Sequence, residues 1–171
     1  MRINITRCKS EQLRLLRDIS IETYRDTFAE SNSEALMQQY FDNALNAEKL
    51  SQEFHTVGSH FYFIYLNEQV AGFLKINLES AQSDDVAQNS LEIERFYIRK
   101  QHLRKGLGKR LMQFAFDIAK QLDKATLWLG VWEHNDSALA FYGGLGFYKI
   151  GEHPFNMGGD IQTDWLLKKD L

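Results

Sequence analysis

Apolar residues along this chain follow two rhythms, and the switches between them mark out its elements. In SEQLRLLRDISIETYRDTFAES, Leu13, Leu16 and Ile19 fall at helical spacing behind Ser10, predicting a long helix after a short strand over about Ile3 to Cys8. Ser33 introduces SEALMQQYFDNAL, and NAEKLSQEFHT follows, together one or two further helices. The rhythm changes at Ser59. SHFYFIYL and QVAGFLKINL are aromatic and β-branched runs separated by Asn67 and Glu68, the pattern of an antiparallel hairpin with a short turn. A polar loop, ESAQSDDVAQNS, leads into the strand SLEIERFYIR. Strict alternation there puts Glu92, Glu94, Phe96 and Ile98 on one face and Ile93, Arg95 and Tyr97 on the other. From Leu107, the residues Leu111, Ala115, Ile118, Ala119 and Leu122 return to helical spacing, so this helix packs on a sheet. ATLWLGVW reads as a strand buried on both faces, and NDSALAFYGGLG as a short helix capped by Asn135 or Asp136 and ended by glycines. GFYKIGEHPFNMG and DIQTDWLLKKDL close the chain as a hairpin. This order predicts an α/β (α+β) domain with a central sheet.

Size and charge narrow the picture. A chain of 171 residues, 44% of them apolar, suits one domain over residues 1–171 and leaves no room for a second of ordinary size. The net charge of -3 gives no sign of a surface that neutralises nucleic-acid phosphates. Cys8 stands alone, which rules out an internal disulfide framework and a cysteine-based zinc site. MRINITRCKS lacks the apolar centre of a signal peptide, and no run approaches a membrane span, so the cytoplasm is the expected location.

The most informative stretch is QHLRKGLGKRL, residues 101 to 111. A nucleotide P-loop is excluded, because Arg110 stands where the metal-binding hydroxyl belongs and the glycine spacing is wrong. The dinucleotide fingerprint has Leu111 in its third glycine slot. What remains is general: Gly106 and Gly108 free the backbone to turn, the next helix presents its positive end, and Arg104, Lys105, Lys109 and Arg110 add charge. Such a turn suits a pyrophosphate. A merely solvated turn is the competing reading; the position between a strand and an amphipathic helix, with N-D-S-A-L-A-F-Y-x-x-L-G-F downstream, argues against it.

Two acidic patterns stand out. Glu92 and Glu94 on one face of a central strand call for ion pairing, with Arg95 or a neighbouring lysine, or for a functional role. In the first helix Asp18, Glu22, Asp26 and Glu30 recur every four residues, so like charges repel across each turn by roughly a few tenths of a kcal/mol. A polyamine could relieve this, with Tyr24 and Phe28 covering its methylenes; a solvated acidic face partnered by Arg14 and Arg25 has equal standing.

Taken together, IERFYI, RKGLGK, LWLGVW and NDSALAFYGGLGF resemble the acyl-CoA-binding core of the GCN5-related N-acetyltransferases, the GNAT superfamily. More narrowly, SIETYRDTF, FIYLNEQVAGFLKIN, SLEIERFYI, LWLGVWEHN and QTDWLLKKDL resemble PaiA-type spermidine/spermine N-acetyltransferases over nearly the whole chain. The resemblance implies a mixed, mostly antiparallel sheet flanked by helices, acetyl-CoA as acyl donor, no metal, and a small amine substrate, most naturally a polyamine bound by Glu22, Asp26, Tyr24 and Phe28. It assigns the pantetheine arm to the backbone of Phe96, Tyr97 and Ile98, with Asn135 and Ala138 beside it. The pyrophosphate falls to Arg104, Lys105, Gly106, Leu107, Gly108 and Lys109, and Tyr142 matches the proton donor to the departing thiolate. An amine with a free pKa of about 10 must lose a proton before it attacks, which makes Glu94 and Glu92 candidate bases. Two positions depart from the family pattern. Leu103 stands where glutamine or arginine is usual, with Gln101 and Arg104 as candidates to compensate, and Gly130 stands where many relatives carry a base on the fifth strand. Acetylation of a protein amine, a regulatory module with little catalysis, and a homodimer stay open.

Overall fold

The computed structural model describes residues 1–171. Its elements are β1 (Ile3–Arg7), α1 (Leu13–Phe28), α2 (Glu34–Ala44), α3 (Ala47–His55), β2 (Ser59–Leu66), β3 (Gln69–Leu78), β4 (Ser90–Ile98), α4 (Leu107–Gln121), β5 (Thr126–Trp132), α5 (Asp136–Gly144), β6 (Tyr148–Met157) and β7 (Asp160–Asp170). Local chemistry sets several of these boundaries. Ser33 and Asn46 cap α2 and α3 by accepting the backbone N–H groups of Leu36 and Lys49 at 3.1 and 2.8 Å, which divides the predicted helical stretch in two. Asn67 adopts φ +56°, which the tight β2–β3 turn requires and asparagine tolerates.

The seven strands form one sheet in the order β1-β2-β3-β4-β5-β7-β6. Every neighbouring pair is antiparallel except β4 and β5, whose parallel pairing is bridged by α4. The closing hairpin enters the sheet through its second strand, so β7 lies against β5 and β6 forms the edge, where Pro154 needs no ladder partner on its outer side. On one face of the sheet α4 buries Leu107, Leu111, Met112 and Ala115 against Leu91, Ile93, Leu127 and Leu129. On the other, α1 and α3 bury Leu16, Ile19 and Leu50 against Phe61, Phe63 and Phe73. Cys8 is buried in this second layer, and burial pushes its thiol up to about 12, the behaviour of an inert core cysteine. A third, smaller cluster joins Tyr24 and Phe28 of α1 to Met37 and Phe41 of α2 and to Met157 at the end of β6.

Strict alternation fails in β4. Arg95 pairs with Lys75 and Ile93 with Ile76, so Glu94 is an extra residue, a β-bulge opposite β3. The bulge reverses the faces for the rest of the strand. Ile93, Phe96 and Ile98 pack on the α4 side, whereas Glu92, Glu94 and Arg95 meet polar groups of β3 and α3, and Tyr97 stacks on Phe73 at 5.6 Å. The expected face of Glu92, Glu94, Phe96 and Ile98 is thereby corrected: the acids and the two apolar residues lie on opposite sides. The bulge also turns β4 away from β5, and their pairing ends at Ile93 and Leu129.

Candidate active site

Where β4 and β5 part, the backbone of Glu94–Ile98 keeps β3 on one side and has no strand on the other. A cavity of about 1080 Å³ fills this gap. One end of it is lined by Leu103, Arg104, Gly106, Gly108 and Lys109, with Asn135, Ala138 and Tyr142 from the α5 region. The other end is lined by Tyr24, Asp26 and Phe28 of α1, Tyr40 of α2, Trp132, and His153, Phe155 and Asp164 of the closing hairpin.

The basic turn owes its shape to two left-handed residues, Arg104 at φ +60° and Gly106 at φ +77°. Gly106 occupies the cap position of α4 and offers no side-chain acceptor, so the first N–H groups of the helix point out of its end unpaired by a cap. With the positive end of the helix dipole and the cations Arg104 and Lys109 on the lining, this end of the cavity suits an anion such as a pyrophosphate. A Cβ on Gly108 would lie 3.4 Å from the Phe141 ring, which shows how tightly α4 and α5 meet there. Leu103 lies on the rim, 52% exposed. Lys105 does not join the cavity. Its side chain borders a separate hollow with Arg2, Glu68 and His102, while its backbone remains in the turn. Gln101 is likewise absent from the lining, so only Arg104 is placed to make up for Leu103.

Asn135 caps α5, its Oδ1 accepting the Ala138 N–H at 3.3 Å. Tyr142, in the last turn of α5, is 7% exposed and packs its ring against Phe96, Phe141 and Phe147 at centroid distances of 6.2, 5.4 and 5.7 Å. Burial raises its hydroxyl pKa well above the ordinary tyrosine value, so the group is a proton carrier across the neutral range.

The β4 acids belong to a buried ion cluster. Glu53 of α3 receives two hydrogen bonds from Arg95, at 2.6 and 3.0 Å, and one from Lys75 at 3.1 Å; the Lys75 ammonium also contacts Glu94. Asn77 donates from the same Nδ2 to Glu92 and Glu94, at 2.8 and 3.0 Å. Burial, the largest influence on Glu94, opposes its charge, but Arg95 and Lys75, with the hydrogen bonds from Lys75 and Asn77, outweigh it and hold the carboxyl below its usual range. Glu92 has no such cation. Burial raises its pKa against the hydrogen bonds from Asn77 and Ser83, which occupy both of its oxygens and tie the loop before β4 to the sheet. Glu92 cannot take a proton without surrendering a partner, and Glu94, its Oε2 held by Asn77 and Lys75, is made a weaker base by the cations beside it.

The acidic ladder of α1 does not face the cavity as a row. Each step of four residues turns about 40° around a helix of 3.6 residues per turn, so the ladder winds away, and of its four members only Asp26 lines the cavity. Glu22 is instead clasped by Arg99, at 2.8 and 3.2 Å, while Arg99 also donates to the Val70 carbonyl. Glu22 is thus paired within the protein and lies off the lining that Tyr24, Asp26 and Phe28 share. Tyr24 and Phe28 do line the cavity, within an aromatic group that sequence reasoning missed. Tyr24 stacks on Tyr40 at 4.3 Å, Tyr40 meets Phe155 at 5.7 Å, and Phe28 meets Trp132 at 5.6 Å. The Tyr24 hydroxyl is buried without a protein partner, and burial raises its pKa. His153 and Asp164 were also missed, since nothing local in EHPF or QTDW tells which strand they will face.

An anion-binding end and an aromatic, acid-bearing end, joined by a splayed strand edge, are the layout of a group-transfer enzyme with two substrates. The sequence profile of the acetyltransferase (GNAT) family matches residues 15–147. The chain is 46% identical over 153 residues to an uncharacterized N-acetyltransferase of Lactobacillus delbrueckii subsp. lactis, covering 90% of this chain and 88% of that protein. It is 24% identical over 173 residues to the spermidine N(1)-acetyltransferase of Thermoplasma acidophilum, covering 99% and 98%. The crystal structure of the PaiA N-acetyltransferase from Thermoplasma acidophilum in complex with coenzyme A has the same fold, with a TM-score of 0.79 at 20% identity over the whole of both chains. This chain belongs to the acetyltransferase (GNAT) family and is an acetyl-CoA-dependent N-acetyltransferase.

Proposed function

We propose that the enzyme acetylates a primary amine of a polyamine such as spermidine or spermine, by direct attack within a ternary complex. The observation that carries this reading is the acceptor end of the cavity, where Tyr24, Phe28, Tyr40, Trp132 and Phe155 surround a space bordered by Asp26, Glu94 and Asp164. Aromatic faces attract ammonium groups and cover methylenes, and carboxylates at separate points suit a chain carrying several charges. The spermidine acetyltransferase among the relatives supports the same substrate class.

On this reading, acetyl-CoA brings the thioester, and the chain supplies position and proton traffic. Arg104, Lys109 and the N–H groups at the start of α4 hold the pyrophosphate. The open edge of Phe96, Tyr97 and Ile98 pairs with the amides of the pantetheine arm, and a strand N–H from the same edge steadies the developing oxyanion. Asn135 and Ala138 form the opposite wall. Tyr142 gives its proton to the departing sulfur. Glu94 and Glu92, fixed by Lys75, Asn77 and Ser83, border the acceptor end, and Asp26 beside them draws the ammonium in. No helix of the chain is long and apolar enough to cross a membrane, and a cytoplasmic enzyme is in keeping with the single free thiol of Cys8.

The test is thiol release from acetyl-CoA across a panel of diamines, polyamines, aromatic amines and peptides, with mass detection of products. Spermidine and spermine should give the highest kcat/KM. Selective turnover of peptide N-termini would replace the reading with protein acetylation, and acetyl-CoA binding without turnover of any amine would replace it with a regulatory module.

A further inference from the structure

Gly130 leaves a place on the cavity wall that two side chains from other strands occupy. A Cβ built at Gly130 would lie 3.4 Å from His153 Nε2 and 3.5 Å from Asp164 Oδ2. His153 and Asp164 are direct cross-strand partners on β6 and β7, and Asp164 pairs with Trp132 one pleat along from Gly130. All three positions line the cavity. Resting on the acetyl-transfer reading above, we propose that His153, with the Asp164 carboxylate beside it, is the group that takes the proton from the acceptor amine.

Histidine is the side chain whose ordinary pKa lies closest to neutrality, which suits a base that must be free at pH 7 yet basic enough to act. Glu92 is committed to Asn77 and Ser83, and the cations Arg95 and Lys75 beside Glu94 make it a poor base, whereas the imidazole is held loosely. Its Nε2 is 3.6 Å from Asp164 Oδ2 and its Nδ1 is 3.8 Å from Asp84 Oδ2, both beyond hydrogen-bond length, so no partner locks either nitrogen. The His153 side chain is 26% exposed, which gives a proton a route to water, and that of Asp164 is 15% exposed. Burial raises the Asp164 carboxyl, and the imidazole beside it pulls in the opposite direction. The other ionisable groups facing the pair are Asp84, from the loop before β4, and Tyr24, Tyr40 and Tyr97, which face Asp164 from α1, α2 and β4.

The proton balance is simple. His153 takes one proton from the ammonium and passes it to solvent. The neutral nitrogen then forms the C–N bond to the acetyl carbon, the C–S bond breaks, and Tyr142 protonates the sulfur. The second proton lost by nitrogen leaves through His153 and restores Tyr142 by way of solvent, so one proton is released per turnover.

The experiment compares pH profiles of kcat and kcat/KM for the full chain and its His153→Gln and Asp164→Asn variants, with spermidine and with a weakly basic amine that is already neutral at pH 7. His153→Gln should lower kcat for spermidine by about 10²- to 10³-fold and remove the rising limb, with a much smaller loss for the weakly basic amine and an unchanged Kd for acetyl-CoA. Asp164→Asn should lower kcat for spermidine by about 10-fold with a much smaller loss for the weakly basic amine, because the carboxylate that faces the charged imidazole is gone. Retention of the limb and of kcat within about twofold in His153→Gln, or of kcat for spermidine within about twofold in Asp164→Asn, overturns the proposal while leaving acetyl transfer intact. A wild-type chain that acetylates no amine overturns both. If His153→Gln does not fold, Asp164→Asn decides.

Discussion

Replacing Lys75 by methionine isolates what the buried cluster contributes. The residue is 4% exposed, and its ammonium lies 3.1 Å from Glu53, touches Glu94 and sits 5.4 Å from the Phe61 ring centre. Methionine keeps most of the stem volume, so the packing loss is small and the charge loss dominates. Removing one partner from a buried ion pair costs about 3–5 kcal/mol, because the other charge stays behind without compensation. In a chain of this size each kcal/mol lowers Tm by about 2–4 °C, so the expected fall at pH 7 is roughly 10 °C. The pH dependence carries a second signature. In the wild type Glu94 sits below its ordinary pKa, so its stabilisation is complete above that ordinary value and is lost only as pH falls through the lower folded one. Without Lys75, Arg95 still lowers the Glu94 carboxyl but part of what opposes burial is gone, so its pKa moves up and less of that stabilisation is left. The gap between the proteins should therefore narrow as pH falls from 7 to about 4, through the carboxylate range. Urea unfolding at both pH values measures it, and a cycle with Glu94→Gln gives the coupling. A penalty below about 1 kcal/mol, or a gap that does not change with pH, would refute the account of the cluster.

Two further outcomes concern the donor end. Tyr142→Phe should lower kcat by about 10²-fold while the Kd for acetyl-CoA, measured by calorimetry, stays within about twofold, since the ring packing is kept and only the proton is lost. Leu103→Arg, at an exposed position on the cavity rim, should tighten acetyl-CoA binding several-fold at low salt, an effect that fades as ionic strength rises; an unchanged Kd at low salt would place the rim outside the pyrophosphate's reach.

Features governed by neighbours in sequence are legible in the chain alone. The Asn67 turn, the caps at Ser33 and Asn135, the helix from Leu107 and the basic turn before it all follow from short-range chemistry, and the structure has them where the pattern put them. What escaped depends on partners far along the chain. The bulge at Glu94 arises from how β4 meets β3, with Arg95 drawn toward Glu53 of α3, and alternation alone contains no trace of it. Glu22 reads as a free acid until Arg99, 77 residues away, arrives beside it. His153 and Asp164 sit in ordinary strand patterns, and only the placement of β7 between β5 and β6 brings them to the wall at Gly130.

An unpaired strand edge is ordinarily a liability, since it offers a template to any passing chain. The edge of β4 beyond Ile93 is of this kind, yet it lies inside the sheet, faced by β5 and roofed by α5, rather than at the molecule's border. There it is turned away from the surface that another molecule's strand would meet. A slender ligand with amides spaced along an unbranched stem fits beside it. The fork between β4 and β5 thus keeps an unpaired backbone edge inside the protein, where it serves a ligand in the cavity and not a passing chain.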